Sequence, residues 1–263
     1  MPEPDREPMR WDPAQYGRYA DQRSRPFFDL VAQIGARDPA VVVDLGCGSG
    51  ELTAALARRW PHASVRGIDA SPEMIERAPS DAGVAFAVGD AAAFAATGVD
   101  VLVSNAMLQW IPDHEALLRR WADELPPGGW LAFQVPSNFG APSHRLMREL
   151  AASGRWHARL EGVLRPGETV PEPGVYLDLL GDAGLVADVW RTEYEHLLQG
   201  PDPVLEWVRG TALRPALAAL TPEEGTAFTA EYAARLREAY PAGRHGTVFG
   251  FSRTFAVARK PGP

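Results

Sequence analysis

Apolar positions along this chain change their period several times, and the changes divide it into short strands and longer helices. Val41-Val42-Val43-Asp44-Leu45 is an apolar run that stops at a glycine-rich turn, the pattern of a strand buried on both faces. Helical spacing resumes from Leu52 to Trp60. Val65 to Ile68, Val84 to Val88, Val99 to Ser104 and Trp130 to Val135 repeat the short apolar run. A helix is predicted over Asp113 to Leu125, closed by the turn Pro127-Gly128-Gly129. At Ser71-Pro72-Glu73 a hydroxyl suited to capping, a proline suited to the first helical position and an acid at the positive end of the dipole mark another helix start. Five strand units with helices between them predict an α/β fold with a parallel, doubly wound sheet.

After Pro136 that rhythm breaks. Residues 137–173 read as loop and helix rich in Gly and Pro, followed by a helix over Gly174 to Leu180 and a strand over Leu185 to Tyr194. Residues 201–240 are again mainly helical, and Val248 to Ala258 closes the chain as a strand. The expectation is a mostly parallel, seven-stranded sheet with helical cap insertions after strands five and six. Before the sheet, residues 1–10 read as a charged, proline-rich disordered arm. Residues 11–36 read as a helical lid, with Tyr16, Tyr19, Phe27, Phe28, Val31 and Ile34 at helical spacing and Pro26 opening its second segment. At 263 residues the chain suits a single domain over 11–263, with a core over 40–136 and the two insertions forming a cap.

Charge narrows the partners. The chain carries 26 basic and 34 acidic residues, a net charge of −8, which argues against nucleic acid or an anionic membrane as partner. Every basic residue except Lys260 is arginine. Two readings of that bias stand side by side: genome composition, and a need for planar forks that clamp carboxylates or phosphates. One cysteine cannot form an internal bridge, and six scattered histidines show no zinc spacing, so no metal is expected. The N-terminus does not read as a signal peptide and no apolar run is long enough to span a bilayer, so a cytoplasmic protein is expected.

Asp44-Leu45-Gly46-Cys47-Gly48-Ser49-Gly50-Glu51 joins the first strand to the first helix, at the sheet edge where open α/β folds bind ligands. A dinucleotide site wants G-x-G-x-x-G and a pyrophosphate on the helix N-terminus. Here the third glycine comes one residue early, and Glu51 stands in its place, where it would repel a pyrophosphate. Asp44 likewise suits a cationic ligand. The segment resembles the first motif of the class I S-adenosylmethionine-dependent methyltransferases, [DE]-x-G-x-G-x-G. That resemblance implies S-adenosyl-L-methionine as cofactor, with Asp44, Gly46, Cys47 and Gly48 about its methionine part. Asp69 and Ala70, ending the second strand, would serve the ribose, and Asp90 and Ala91, after the third, the adenine; each aspartate also reads as a turn or cap residue. Asn105 follows the fourth strand and would face the cofactor. Cys47 also admits a nucleophile reading, for which the sequence offers no base.

Over Trp11 to Arg259 the chain is similar to the trans-aconitate 2-methyltransferase family. Trp11-Asp12-Pro13, Arg23-Ser24-Arg25-Pro26, Asn105-Ala106-Met107-Leu108-Gln109-Trp110, Pro142-Ser143-His144, Trp190 to His196, Leu213-Arg214-Pro215 and Phe251-Ser252-Arg253-Thr254-Phe255 carry the likeness. It departs at Ser49, where proline is frequent, and at Val175, where a second tyrosine is common and acceptor shape is at stake. The resemblance implies methyl transfer to a carboxylate of trans-aconitate or a close polycarboxylate; a different carboxylate or hydroxyl acceptor is the alternative. A carboxylate with pKa near ~4 is already ionised, so no general base is expected. Charge compensation would come from Arg25, Arg214 and Arg253, more weakly from Arg191, with Gln109, Trp110, Tyr176, Tyr194 and His196 as further acceptor contacts. Oligomeric state is not legible.

Overall fold

The computed structural model describes residues 20–80, 83–164 and 170–262, with side chains in the first helix from residue 24 onward. The expected disordered arm and the start of the expected lid, including Tyr16 and Tyr19, lie outside these residues.

Five parallel strands form the first part of the sheet: β1 (Val41–Leu45), β2 (Ser64–Asp69), β3 (Val84–Val88), β4 (Val101–Asn105) and β5 (Trp130–Pro136). β6 (Val186–Leu198) and β8 (Gly246–Arg259) complete it in the order β3-β2-β1-β4-β5-β8-β6, with β8 antiparallel to both neighbours. β7 (Ala242–Gly243) is a two-residue strand, absent from the sequence expectation, that pairs with the start of β8 across Arg244-His245.

Helices α1 (Ala20–Ala32), α2 (Thr53–Arg59), α3 (Pro72–Ile75) and α4 (His114–Glu124) accompany the first five strands. The first insertion holds α5 (Pro142–Ala151) and α6 (His157–Leu160), and α7 (Pro173–Asp182) leads into β6. The second holds α8 (Pro203–Arg209), α9 (Arg214–Ala219) and α10 (Pro222–Ala239). Ser71 caps α3 as expected, its side chain accepting from Met74 N with Pro72 at the first position. A second cap was not foreseen: Thr221 and Glu224 form a reciprocal capping box on α10.

Pro26 is a correction. It was expected to open a helix, but α1 runs through it. An interior proline costs about 3 kcal/mol. Phe27, Leu30 and Val31 offset that penalty, since all three are buried against the sheet.

Strand periodicity sorts the core into two layers. Val43, Leu45, Leu102, Leu131, Phe133, Val135, Ala256 and Ala258 pack on one face with α4 and α7. Val42, Val65, Val101, Val103, Ala132, Phe255 and Val257 pack on the other with α1 and α2. A third cluster joins the two insertions to the outer parts of β6 and β8, through Met147, Trp156, Trp207, Phe228, Tyr232, Phe249 and Phe251. That cluster explains why β6 runs to Leu198 rather than ending at Tyr194: its last residues pair with β8 down to Thr247 and carry the cap. Among the described residues no helix is long and apolar enough to cross a membrane.

Candidate active site

Alternation also places the polar residues. Asp69 shares the parity of Val65, Asp44 that of Val42, Asn105 that of Val103, Gln134 that of Ala132, and Arg253 that of Phe255, so all five project on the α1/α2 face. Read across β2, β1, β4, β5 and β8, this row passes from two carboxylates through two amides to a guanidinium.

At its acidic end, the loop after β1 turns through three left-handed glycines, with φ of 76° at Gly46, 57° at Gly48 and 76° at Gly50. A Cβ at Gly46 would collide with the Met107 side chain and one at Gly50 with the Phe86 ring, whereas Gly48 faces open space. Asp69 holds the loop: its Oδ2 accepts from Gly48 N at 2.9 Å and its Oδ1 from Ser71 N at 2.9 Å. Asp44 is 2% exposed; Thr53 Oγ1 donates to its Oδ2 at 2.7 Å, and its Oδ1 has no partner. Burial, with Asp69 adding to it against the Thr53 hydrogen bond, raises the Asp44 pKa to about 7. A buried polar atom left without a partner costs about 1–3 kcal/mol. An ammonium or sulfonium ligand would relieve that cost, and a phosphate would add to it. Asn105 Oδ1 is buried and unpartnered in the same way. Ala106, next to it, has φ of 55°, a left-handed conformation uncommon outside glycine.

Asp90 lies exposed beyond β3 and caps a single turn over Ala91–Ala93, its Oδ1 accepting from Ala92 N at 2.8 Å. Ala70 is exposed and Ala91 half-buried. Cys47 is held protonated: burial, then Asp44 and Asp69, push its thiol far above the usual range, which removes its standing as a nucleophile.

Next to Asn105 opens a cavity of about 150 Å³. Asn105, Gln109, Trp110, Pro136, Asn138, His144, Arg148, Trp207, Phe251 and Arg253 are among its lining. Two arginines and no carboxylate line it among the described residues. Arg253 is 5% exposed, donates to Gln134 Oε1 at 3.2 Å and lies 4.6 Å from the Phe251 ring centroid. Behind it, His196 stacks on Trp207 at 4.8 Å and on Tyr194 at 6.3 Å. Burial, then Arg253 and Arg25, lower the His196 pKa to about 4, so the ring is neutral at physiological pH. His144 is lowered to about 4 as well, by burial and by Arg148.

Of the residues expected at the acceptor, Gln109, Trp110 and Arg253 line this cavity. Tyr194 is buried and donates to Asp29 Oδ2 at 2.7 Å. Arg25 is an exposed side chain over the Tyr194 ring, 3.6 Å from Asp29. Arg214 opens α9 one residue before Pro215, which does line the cavity. Arg191 is an exposed partner of Glu172. Tyr176 is placed elsewhere: it is fully buried on the opposite face of the sheet, against Phe133, with its hydroxyl 2.7 Å from His114 Nε2. Val175, on the same helix, is 46% exposed and so takes no part in the cavity's shape. Asn138, His144 and Arg148 were not anticipated as site residues. Pro142-Ser143-His144 stood out only as a family mark, and Asn138 and Arg148 carry no local signal. Among the described residues no three His, Cys, Asp or Glu side chains cluster as metal ligands.

A family described as methyltransferase domain matches residues 19–163. Among proteins of similar sequence, the trans-aconitate 2-methyltransferase of Streptomyces avermitilis is 54% identical over 260 residues, covering 95% of this chain and 97% of that one. The one of Streptomyces coelicolor is 56% identical over 263 residues, covering 95% and 87%. This chain belongs to the trans-aconitate 2-methyltransferase family. The relative in Mycobacterium tuberculosis is 43% identical over 255 residues, covering 96% of this chain and 97% of that one. Solved structures bear on the fold alone. The YcgJ protein of Bacillus subtilis matches with a TM-score of 0.57 at 15% identity, over 92% of this chain and 100% of that one. The [4+2]-cyclase SpnF matches at 0.51 and 17% identity, over 91% and 82%. A cyclase on this fold shows why the acceptor has to be argued from the site.

Proposed function

We propose that this chain transfers the methyl group of S-adenosylmethionine to a carboxylate of trans-aconitate, giving a monomethyl ester and S-adenosylhomocysteine. The observation that carries the reading is the change of sign along one face of the sheet, from Asp69 and Asp44 to the arginine-lined cavity, with Asn105 between. When bound, the cofactor supplies an electrophilic methyl carbon on a sulfonium centre. Asp44 Oδ1 is free to accept from its ammonium, and Asp69 has lone pairs left for ribose hydroxyls. Asp90 keeps Oδ2 for the adenine edge while Oδ1 caps the turn.

The acceptor carboxylate is ionised at neutral pH and needs no base, so the protein's task is placement and charge compensation. Arg253, braced by Gln134 and Phe251, offers a preset guanidinium fork, and Gln109 and Trp110 border the same space. A hydroxyl acceptor is less well served. His144 and His196 have pKa values near 4 and are weak bases at neutral pH. The net charge of −8 supports a small-molecule acceptor rather than a nucleic acid, and we place the reaction in the cytoplasm.

Transfer of labelled methyl to citrate, isocitrate, cis-aconitate and trans-aconitate tests the proposal. Ester formation is expected with trans-aconitate in preference to the others. No labelled product from any of the four would defeat the acceptor assignment. Thermal stabilisation by S-adenosylhomocysteine, and none by NAD, checks the cofactor assignment separately.

A further inference from the structure

Arg148 and Asn138 line the cavity, yet neither stands in the sheet that carries the rest of the polar row. One short loop connects them to Arg253. At its start Pro136 is register-paired with Arg253, and Ser137 N donates to Ser252 O at 2.9 Å. At its end Arg148 reaches back from α5, and its Nη2 donates to the Phe139 carbonyl at 2.9 Å. Asn138 falls between these ties, 5% exposed, with neither Oδ1 nor Nδ2 hydrogen-bonded. The loop thus strings together a guanidinium, an unused amide and a second guanidinium.

This strip has a direction. Asn105, at the cofactor end, is register-paired with Gln134, whose Oε1 accepts from Arg253. Arg253 therefore stands on the sheet close to the transfer end, whereas Arg148 is carried by the cap. Resting on the polycarboxylate reading above, we infer that Arg148 and Asn138 are specificity-determining residues that hold an acceptor carboxylate which does not receive the methyl group. A planar fork and a neighbouring amide N–H match the oxygens of one carboxylate. An acceptor with three carboxylates uses the whole strip. One with two leaves Arg148 without its anion in an apolar-walled cavity, which selects against it.

The test compares the full chain with R148Q on three acceptors. These are trans-aconitate, mesaconate (a methyl in place of the CH2-carboxylate) and glutaconate (no central carboxylate). A dicarboxylate that is not turned over is measured as a competitive inhibitor. In R148Q the KM for trans-aconitate should rise about tenfold or more, with kcat within about threefold and affinity for S-adenosylhomocysteine unchanged. The dicarboxylate that lacks the group held by Arg148 should keep its constant, so the preference for three carboxylates collapses. N138A should move the KM for trans-aconitate the same way by a smaller factor, and R148K should recover part of the loss. If R148Q does not fold, N138A decides by the same split between KM and kcat. Equal rises on all three acceptors, a fall in kcat with KM unmoved, or no change in either variant would overturn the inference. If the wild-type chain methylates none of the three, the acceptor reading itself fails, an outcome distinct from transfer by the wild type with an unmoved R148Q.

Discussion

On β1 and β2 the polar groups at the sheet edge are carboxylates; on β8, on the same face, the polar group is a guanidinium. The two ends are built differently. Asp44 and Asp69 sit at the carboxyl ends of strands, and their partners Thr53, Gly48 and Ser71 lie within 21 residues in sequence. Arg253 donates to Gln134, 119 residues away, and shares its cavity with residues of both insertions. The acidic end is thus assembled by local turns, while the arginine-lined cavity is assembled by packing distant segments.

The largest effect that bears on this contrast should come from Arg253→Ala. Removing a desolvated guanidinium from the acceptor's charge is expected to cost about 2–5 kcal/mol, or roughly 30-fold to several-thousand-fold in the acceptor kcat/KM, with cofactor affinity little changed. Equal losses for both ligands would abolish the division into two ends. Asp69→Asn should act oppositely. Hydrogen bonds to a charged group contribute about 1.5–3 kcal/mol, so S-adenosylhomocysteine should bind about ten- to a hundredfold more weakly by calorimetry, with the acceptor KM little moved at saturating cofactor. Unchanged affinity would remove the ribose role and leave Asp69 as a brace of the glycine loop.

Acidity gives a finer separation. The Asp44 pKa is raised from 3.8 to about 7 by burial, so its contribution to the stability of the empty protein is present below 3.8 and lost as pH rises through about 7. Ligand affinity runs the other way, because an ammonium needs the ionised carboxylate. Affinity for S-adenosylhomocysteine should fall about tenfold from pH 8 to pH 6, and Asp44→Asn should flatten that profile. A slope that persists in the variant would assign the titration to another group. The smallest effect is expected from Tyr176→Phe. It removes the contact with His114 on the far face of the sheet and should lower stability by about 1 kcal/mol, with the acceptor KM unmoved. A raised acceptor KM would bring Tyr176 back to the site and break the comparison.

Strand positions were legible wherever an apolar run ended in a turn residue. β1 and β3 span the expected residues, and β2, β4 and β5 differ by one or two at their ends. The three acids at successive strand ends were legible for the same reason, since a carboxylate after an apolar run and before a glycine or a cap has few places to point. The path of α1 through Pro26 was not legible, because helix propensity disfavours it and only the burial of Phe27, Leu30 and Val31 reverses the balance. Nor was the extension of β6 past Tyr194, which depends on pairing with Thr247 to Gly250, far along the chain.

The sequence by itself determined the parallel sheet, the glycine loop and the acids around it, because these follow from period, turn chemistry and neighbours close along the chain. Only the tertiary structure decided which arginines and aromatics reach the cavity beside Asn105. Arg148 and Asn138 enter it because two insertions pack over the outer parts of β6 and β8, and Tyr176 is kept out because α7 lies on the opposite face. Sequence alternation tells which residues share a face, but which helix covers that face is settled by long-range burial of apolar surface, and no local pattern encodes it.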